Sequence, residues 1–224
     1  MLFFRHRNTN DPVVGAFEES VLETLRRRCS QTIWTLPHLY DLPDSWPGFQ
    51  EIAGGPLYVF SWLSARAAAA ILRPRFPTMD LTCFDLEELK TTAGSGSDHL
   101  DWICDEINRS LTLPEAVLLR TAQEIGQSEK PLRHRWYPVI DYQECQNCLE
   151  CVNFCLFGVY TIGENQVPLV EQPDQCRHGC PACARVCPAG AILFPEYDDP
   201  MISGRLKHTN KKDDLDNLID QVEL

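Results

Sequence analysis

No stretch of this 224-residue chain approaches the roughly 18 consecutive apolar residues that a membrane-crossing helix needs. The opening Met1-Leu2-Phe3-Phe4 is too short an apolar run for a secretion signal, so a cytoplasmic location is expected. Basic charge is scarce. The 20 Lys and Arg stand against 32 Asp and Glu, a formal net charge of -12. Phosphate binding requires a basic face, so nucleic acid is excluded as the main partner. There is no Gly-x-Gly-x-x-Gly after a strand and no phosphate loop, and Gly54-Gly55 precedes its strand, the wrong side for a dinucleotide. A nucleophile elbow is missing too. These absences point away from an enzyme. At 44% apolar and 23% charged, the composition also excludes wholesale disorder and collagen-like repeats.

What the chain has in quantity is cysteine: 11 residues, eight of them between Cys145 and Cys187. Without an export signal, cysteines at two- and three-residue intervals read as metal ligands, not disulfide partners. The scattered Cys29, Cys83 and Cys104 belong to no Cys-x-x-Cys pair and read as small buried hydrophobes.

Along the chain, apolar residues at helical spacing (Phe17, Val21, Leu22, Leu25) predict a helix over 12–30, with Glu18, Glu19 and Glu23 early and Arg26, Arg27 and Arg28 late, as the helix dipole favours. Thr32–Leu36, Pro56–Trp62 and Met79–Phe84 read as strands, with Ser64 capping a helix between the last two until Pro74 ends it. Residues 37–55 are rich in Pro and Gly and read as irregular connection. Thr91–Ser97 reads as a loop, followed by helices near 98–111 and 112–126. The small α/β domain thus spans 12–127 with three strands, and 128–135 is a polar linker. A second domain covers 136–197. The tail, 198–224, carries a short amphipathic helix (Leu215, Leu218, Ile219, Val222), either packed on its own chain or docking a partner.

The second domain contains an internal repeat. Cys148, Cys151 and Cys155 map onto Cys180, Cys183 and Cys187 at an offset of 32, and Gly158 and Gly190 share it. Each half is a ligand loop, a helical turn and a strand; neither can bury a core alone, so the halves are expected to pack about a pseudo-two-fold axis. Three cysteines at two-residue steps can wrap one inorganic cubane, and the fourth, three residues on, faces away toward the other half.

The runs Cys145-x2-Cys148-x2-Cys151-x3-Cys155 and Cys176-x3-Cys180-x2-Cys183-x3-Cys187-Pro188 closely resemble the bacterial-type ferredoxins that carry two 4Fe-4S clusters. The resemblance covers about 136–197. It implies Cys145, Cys148, Cys151 and Cys187 on one cluster, and Cys176, Cys180, Cys183 and Cys155 on the other. Two positions depart from the family: Leu156 stands where a proline is usual, and three residues separate Cys176 from Cys180, a bulge that Gly179 accommodates. His178 is not needed as a ligand, since four cysteines fill the cluster. The fold expected is α+β: a small α/β N-terminal domain, then a pseudo-two-fold bacterial ferredoxin-like iron-sulfur domain. With every iron position filled, the function expected is electron carriage at low potential, the N-terminal domain docking redox partners that present basic surfaces. Glu144 and Glu150 flank the first set and Arg177 and Arg185 the second, so the second cluster is expected to have the higher potential. An iron-sulfur subunit of a larger oxidoreductase and a zinc-stabilised interaction module are the alternatives. The aromatics of the block (Tyr142, Phe154, Phe157, Tyr160, Phe194) read as core.

Overall fold

Asp11 and Pro12 open the first long helix for a local reason. The Asp11 carboxylate accepts hydrogen bonds from the N–H groups of Val13 and Val14 at 2.9 and 3.3 Å, and Pro12 fills a first-turn position where no N–H is needed. In the computed structural model, which describes residues 1–8, 10–29, 31–42, 52, 55–92, 98–110 and 134–206, this helix is α1 (Pro12–Arg28). Its buried stripe is Val14, Glu18, Val21, Leu22 and Leu25.

The chain divides into two units, Met1–Arg135 and Trp136–Leu224. The first is built on a parallel sheet. Its strands are β1 (Leu2–Phe4), β2 (Trp34–Leu36), β3 (Leu57–Ser61) and β4 (Leu81–Asp85), in the order β2-β1-β3-β4. All residues of β1 and β3 are buried, as the two inner strands of a parallel sheet require. Phe60 stacks on Phe84 at 4.8 Å and on Phe3 at 6.4 Å, which ties three adjacent strands across one face.

The sheet has four strands, against the three expected from sequence, and its extra inner strand lies ahead of residue 12. Three residues are too few to show a period-two pattern, so Leu2–Phe4 reads only as an isolated apolar patch. The helix α2 (Ala65–Leu72) joins β3 to β4; Ser64 Oγ accepts from Ala67 N–H at 3.3 Å, and Ala67, Ala68, Ala70, Ile71 and Leu72 are buried. A further helix, α3 (Leu86–Thr92), was not legible, because its start depends on the Asp85 carboxylate accepting from Glu87 N–H at 2.9 Å. Next comes α4 (Asp98–Ser110), held to the end of α1 by Arg28, which pairs with Asp101 at 2.6 Å and Asp105 at 2.8 Å. The arginine end of α1 is therefore partly an ion-pair site.

Glu18 differs more sharply from its expected dipole role. It is 1% exposed and accepts from Arg5 Nη1 (3.1 Å), His6 N–H (2.6 Å) and Trp62 Nε1 (2.8 Å). Three donors satisfy a carboxylate that would otherwise be costly to bury. The helix expected at 112–126, the linker up to residue 133 and the tail helix lie outside the described residues.

The second unit contains β5 (Val139–Ile140), α5 (Glu150–Phe154), β6 (Tyr160–Ile162), β7 (Pro168–Val170), α6 (Ala182–Val186), β8 (Ile192–Leu193) and α7 (Pro200–Ser203). β5 pairs antiparallel with β8, and β6 with β7. α5 and α6 are related by the same 32-residue offset as the cysteines. Gly158 and Gly190 both sit at positive φ, 66° and 57°, where the chain turns from helix to strand.

Candidate metal centre

The first cysteine loop begins at Asp141, directly after β5. Its N–H donates to Ala191 O at 2.8 Å, its carboxylate accepts from Gln143 N–H at 3.1 Å, and its carbonyl accepts from Glu144 and Cys145 N–H at 3.1 and 3.0 Å. Asn147 and Leu149 then adopt φ of 54° and 61°, a left-handed conformation that costs a residue with a side chain about 1–2 kcal/mol. The loop so shaped curves around a small cavity. Its wall includes Cys145, Cys148 and Cys151 from this loop and Cys187 from the other half of the repeat, with Ile140, Leu149 and Ile192 supplying apolar surface.

Burial pushes the Cys145 thiol up, and the neighbouring sulfurs of Cys187 and Cys148 push it further. Cys151 is pushed up to about 12, by burial first and then by Cys145, Cys183 and Cys187. Thiols so crowded resist ionising together. A cationic core draws out the thiolates that bind metal.

The second loop is shaped differently. Cys176 N–H donates to Pro173 O at 3.1 Å, and Cys180 N–H donates to Arg177 O at 3.0 Å across a turn in which Gly179 takes a φ of 76°. This is where the additional residue between Cys176 and Cys180 is absorbed. Burial pushes Cys176 up to about 12, with Cys183, Cys180 and Cys155 adding to it. Burial pushes Cys183 up to about 11, and the Tyr160 hydroxyl beside it pulls the other way. Cys176, Cys180, Cys183 and Cys155 are thus neighbours, the last again supplied by the other half. The Ala191 N–H donates to Cys187 Sγ at 3.3 Å.

The donor set is entirely sulfur, which suits iron-sulfur clusters or zinc. The sequence spacing favours the first: a third cysteine at the next two-residue step, as in Cys145-x2-Cys148-x2-Cys151, is not the paired-knuckle pattern of zinc sites.

Several residues near the cysteines gave no signal in the spacing. The Trp136 indole N–H donates to Cys180 O at 3.4 Å, and its ring stacks on Phe194 with centroids 5.2 Å apart. Trp136 also packs against His178 at 5.4 Å. Arg185 donates to Tyr197 Oη at 2.8 Å. The expectation that the aromatics form core needs correction. Phe194 is fully buried, but Phe154, Phe157 and Tyr142 are exposed to 50%, 39% and 41%, because so small a unit has too little interior to cover them.

No family model matches the chain. Its C-terminal part is similar to curated proteins named ferredoxin. An uncharacterized ferredoxin of Methanocaldococcus jannaschii is 40% identical over 79 residues, 35% of this chain and 52% of that protein. Another from the same organism is 44% identical over 55 residues, 24% of this chain and 86% of that protein. A ferredoxin of Methanothermococcus thermolithotrophicus is 41% identical over 59 residues, 25% of this chain and 95% of that protein. The chain spans about half the length of the first relative and nearly all of the third. Through its C-terminal part, the chain belongs to the ferredoxin family.

Proposed function

We propose that the C-terminal unit holds two 4Fe-4S clusters and acts as an electron carrier. Cys145, Cys148, Cys151 and Cys187 would hold one cluster, and Cys176, Cys180, Cys183 and Cys155 the other. When bound, such clusters exchange single electrons. The carrying observation is the first cavity, where three cysteines of one loop meet a fourth from the other half of the repeat. The chain's own part is to bury and orient the thiols: strained turns at Asn147 and Leu149 aim the first loop, and Trp136 braces the second. Four ligands per cluster leave no iron open to a substrate, so the reading is a carrier and not an enzyme.

The two halves would pack about a pseudo-two-fold axis, an arrangement supported by the matching positions of α5 and α6. Cysteines that serve as cluster ligands and not as disulfide partners suit a reducing cytoplasm, and no helix among the described residues is long and apolar enough to cross a membrane. With a net charge of -12, the chain would favour redox partners with basic surfaces, which the N-terminal α/β unit would help to dock.

The test is anaerobic purification of the full chain, with iron, labile sulfide and zinc assays. The expected material is brown, contains about eight irons and eight sulfides per chain, and takes up electrons without turning over a substrate by itself. Colourless material containing zinc would end this reading. Turnover that appears only with a co-purifying chain would favour an oxidoreductase subunit.

A further inference from the structure

Tyr160 lies on β6 and packs against the group of buried residues that contains Cys151 and Cys183. Its hydroxyl oxygen is shielded from solvent and meets no hydrogen-bond partner, sulfur included. The polar group beside it is the Cys183 sulfur. A buried hydroxyl without a partner is costly, so packing alone does not account for a tyrosine here.

The repeat supplies an internal control. At the offset of 32, Tyr160 corresponds to Ile192, and the cysteine corresponding to Cys183 is Cys151. Ile192 and Cys151 line the first cavity together. The same strand position therefore gives the first site methyl groups and the second an O–H. The other tyrosine near the first site does not compensate, since Tyr142 Oη donates to Pro168 O at 3.0 Å.

We propose that Tyr160 is a positioning residue that tunes one site only: when Cys183 is a thiolate ligand, the unpartnered Tyr160 hydroxyl donates to its sulfur and raises the reduction potential of the cluster held there. The physical reason is charge. Reduction adds an electron to a sulfur-rich, already negative group, and a donor aimed at a ligand sulfur stabilises the more negative state. This inference rests on the two-cluster reading above. It gives that asymmetry a cause separate from the flanking arginines.

The experiment is an EPR-monitored redox titration of the full chain, wild type against Tyr160→Phe, with the hyperfine-shifted cysteine β-proton resonances assigned by NMR. Phe keeps the ring and removes only the hydroxyl. Tyr160→Ile, which copies the corresponding residue, guards against an effect peculiar to Phe. Both variants are expected to bind iron and sulfide as the wild type does. In both, one midpoint should fall by a tenfold change in the one-electron equilibrium, about 59 mV, while the other stays put, and the resonances that move should include those of Cys183. Unchanged midpoints, or an equal shift of both, would overturn the proposal. Wild-type protein that takes up no iron and sulfide overturns it together with the two-cluster reading, and does so at the loading step, before any variant is compared.

Discussion

The three cysteines outside the repeat show how much a single residue's surroundings decide. Burial pushes Cys29 and Cys83 up from 9.0 to about 12, with Cys104 adding to the effect at Cys29, and burial raises Cys104 as well. A thiol raised in this way stays protonated where an exposed one begins to ionise. Any stability it lends is complete below pH 9 and lost as pH climbs through 12. At pH 8 the thiolate fraction falls about a thousandfold relative to an ordinary cysteine. Iodoacetamide applied anaerobically at pH 8 should therefore leave Cys29 and Cys83 unmodified in the folded chain and label both in urea, as read by peptide mass spectrometry. Labelling of the folded chain at the rate of a free thiol would contradict the assignment. Isolation from any Cys-x-x-Cys pair made this inert role readable from sequence. Glu18 was not readable in that way. Its three donors come from Arg5 and His6, the two residues after β1, and from Trp62, none of them near it in sequence.

At the scale of elements, legibility follows length and local capping. α1 and α2 carry their signals in their own residues: Asp11-Pro12 for one, Ser64 and an alanine run for the other. β1 is too short for a pattern, and α3 starts on a side-chain cap from the last residue of a strand. The repeat allows a sharper argument about α5 and α6. The residues that follow them, Cys155 and Cys187, have φ/ψ of -74°/113° and -72°/112°. Cys187 precedes Pro188, and this extended backbone is what a residue before proline prefers. Cys155 holds the same conformation but precedes Leu156, which is 92% exposed. Leu156→Pro should therefore fit the native chain while restricting the unfolded one, a gain of about 0.4–1 kcal/mol. The iron-loaded variant is expected to melt about 2–6 °C higher by circular dichroism under argon. A lower midpoint with normal iron content would mean that the backbone after Cys155 is not free to accept the ring.

For the molecule as a whole, the two units differ in what holds them together. The first has an ordinary interior: Phe3, Leu22, Leu25, Phe60, Leu86, Ile103 and Ile107 are almost fully buried in one group. Full burial of each is worth about 1.5–3 kcal/mol. In the second, one buried group consists of Cys151, Cys183, Ala184, Ile192, Phe194 and Ile202, so two of that group's six members are cysteines. A core that uses thiols where a larger domain uses leucine has little apolar surface to offset the entropy of ordering its loops. Metal binding then becomes folding free energy for that unit alone. This contrast was only half legible: the cysteine spacing marked the second unit, while the independence of the first depends on a sheet whose inner strand the sequence concealed. Removing iron from the full chain with a chelator under reducing, anaerobic conditions should collapse the dispersed methyl resonances of Ile192 and Ile202 and leave those of Leu22, Leu25 and Ile107 in place. Loss of both sets together would mean that the first unit depends on the second for its fold. Retention of both would mean that the sulfur cradles are stable without their inorganic cores, and that the cysteines contribute to the interior as ordinary small hydrophobes do.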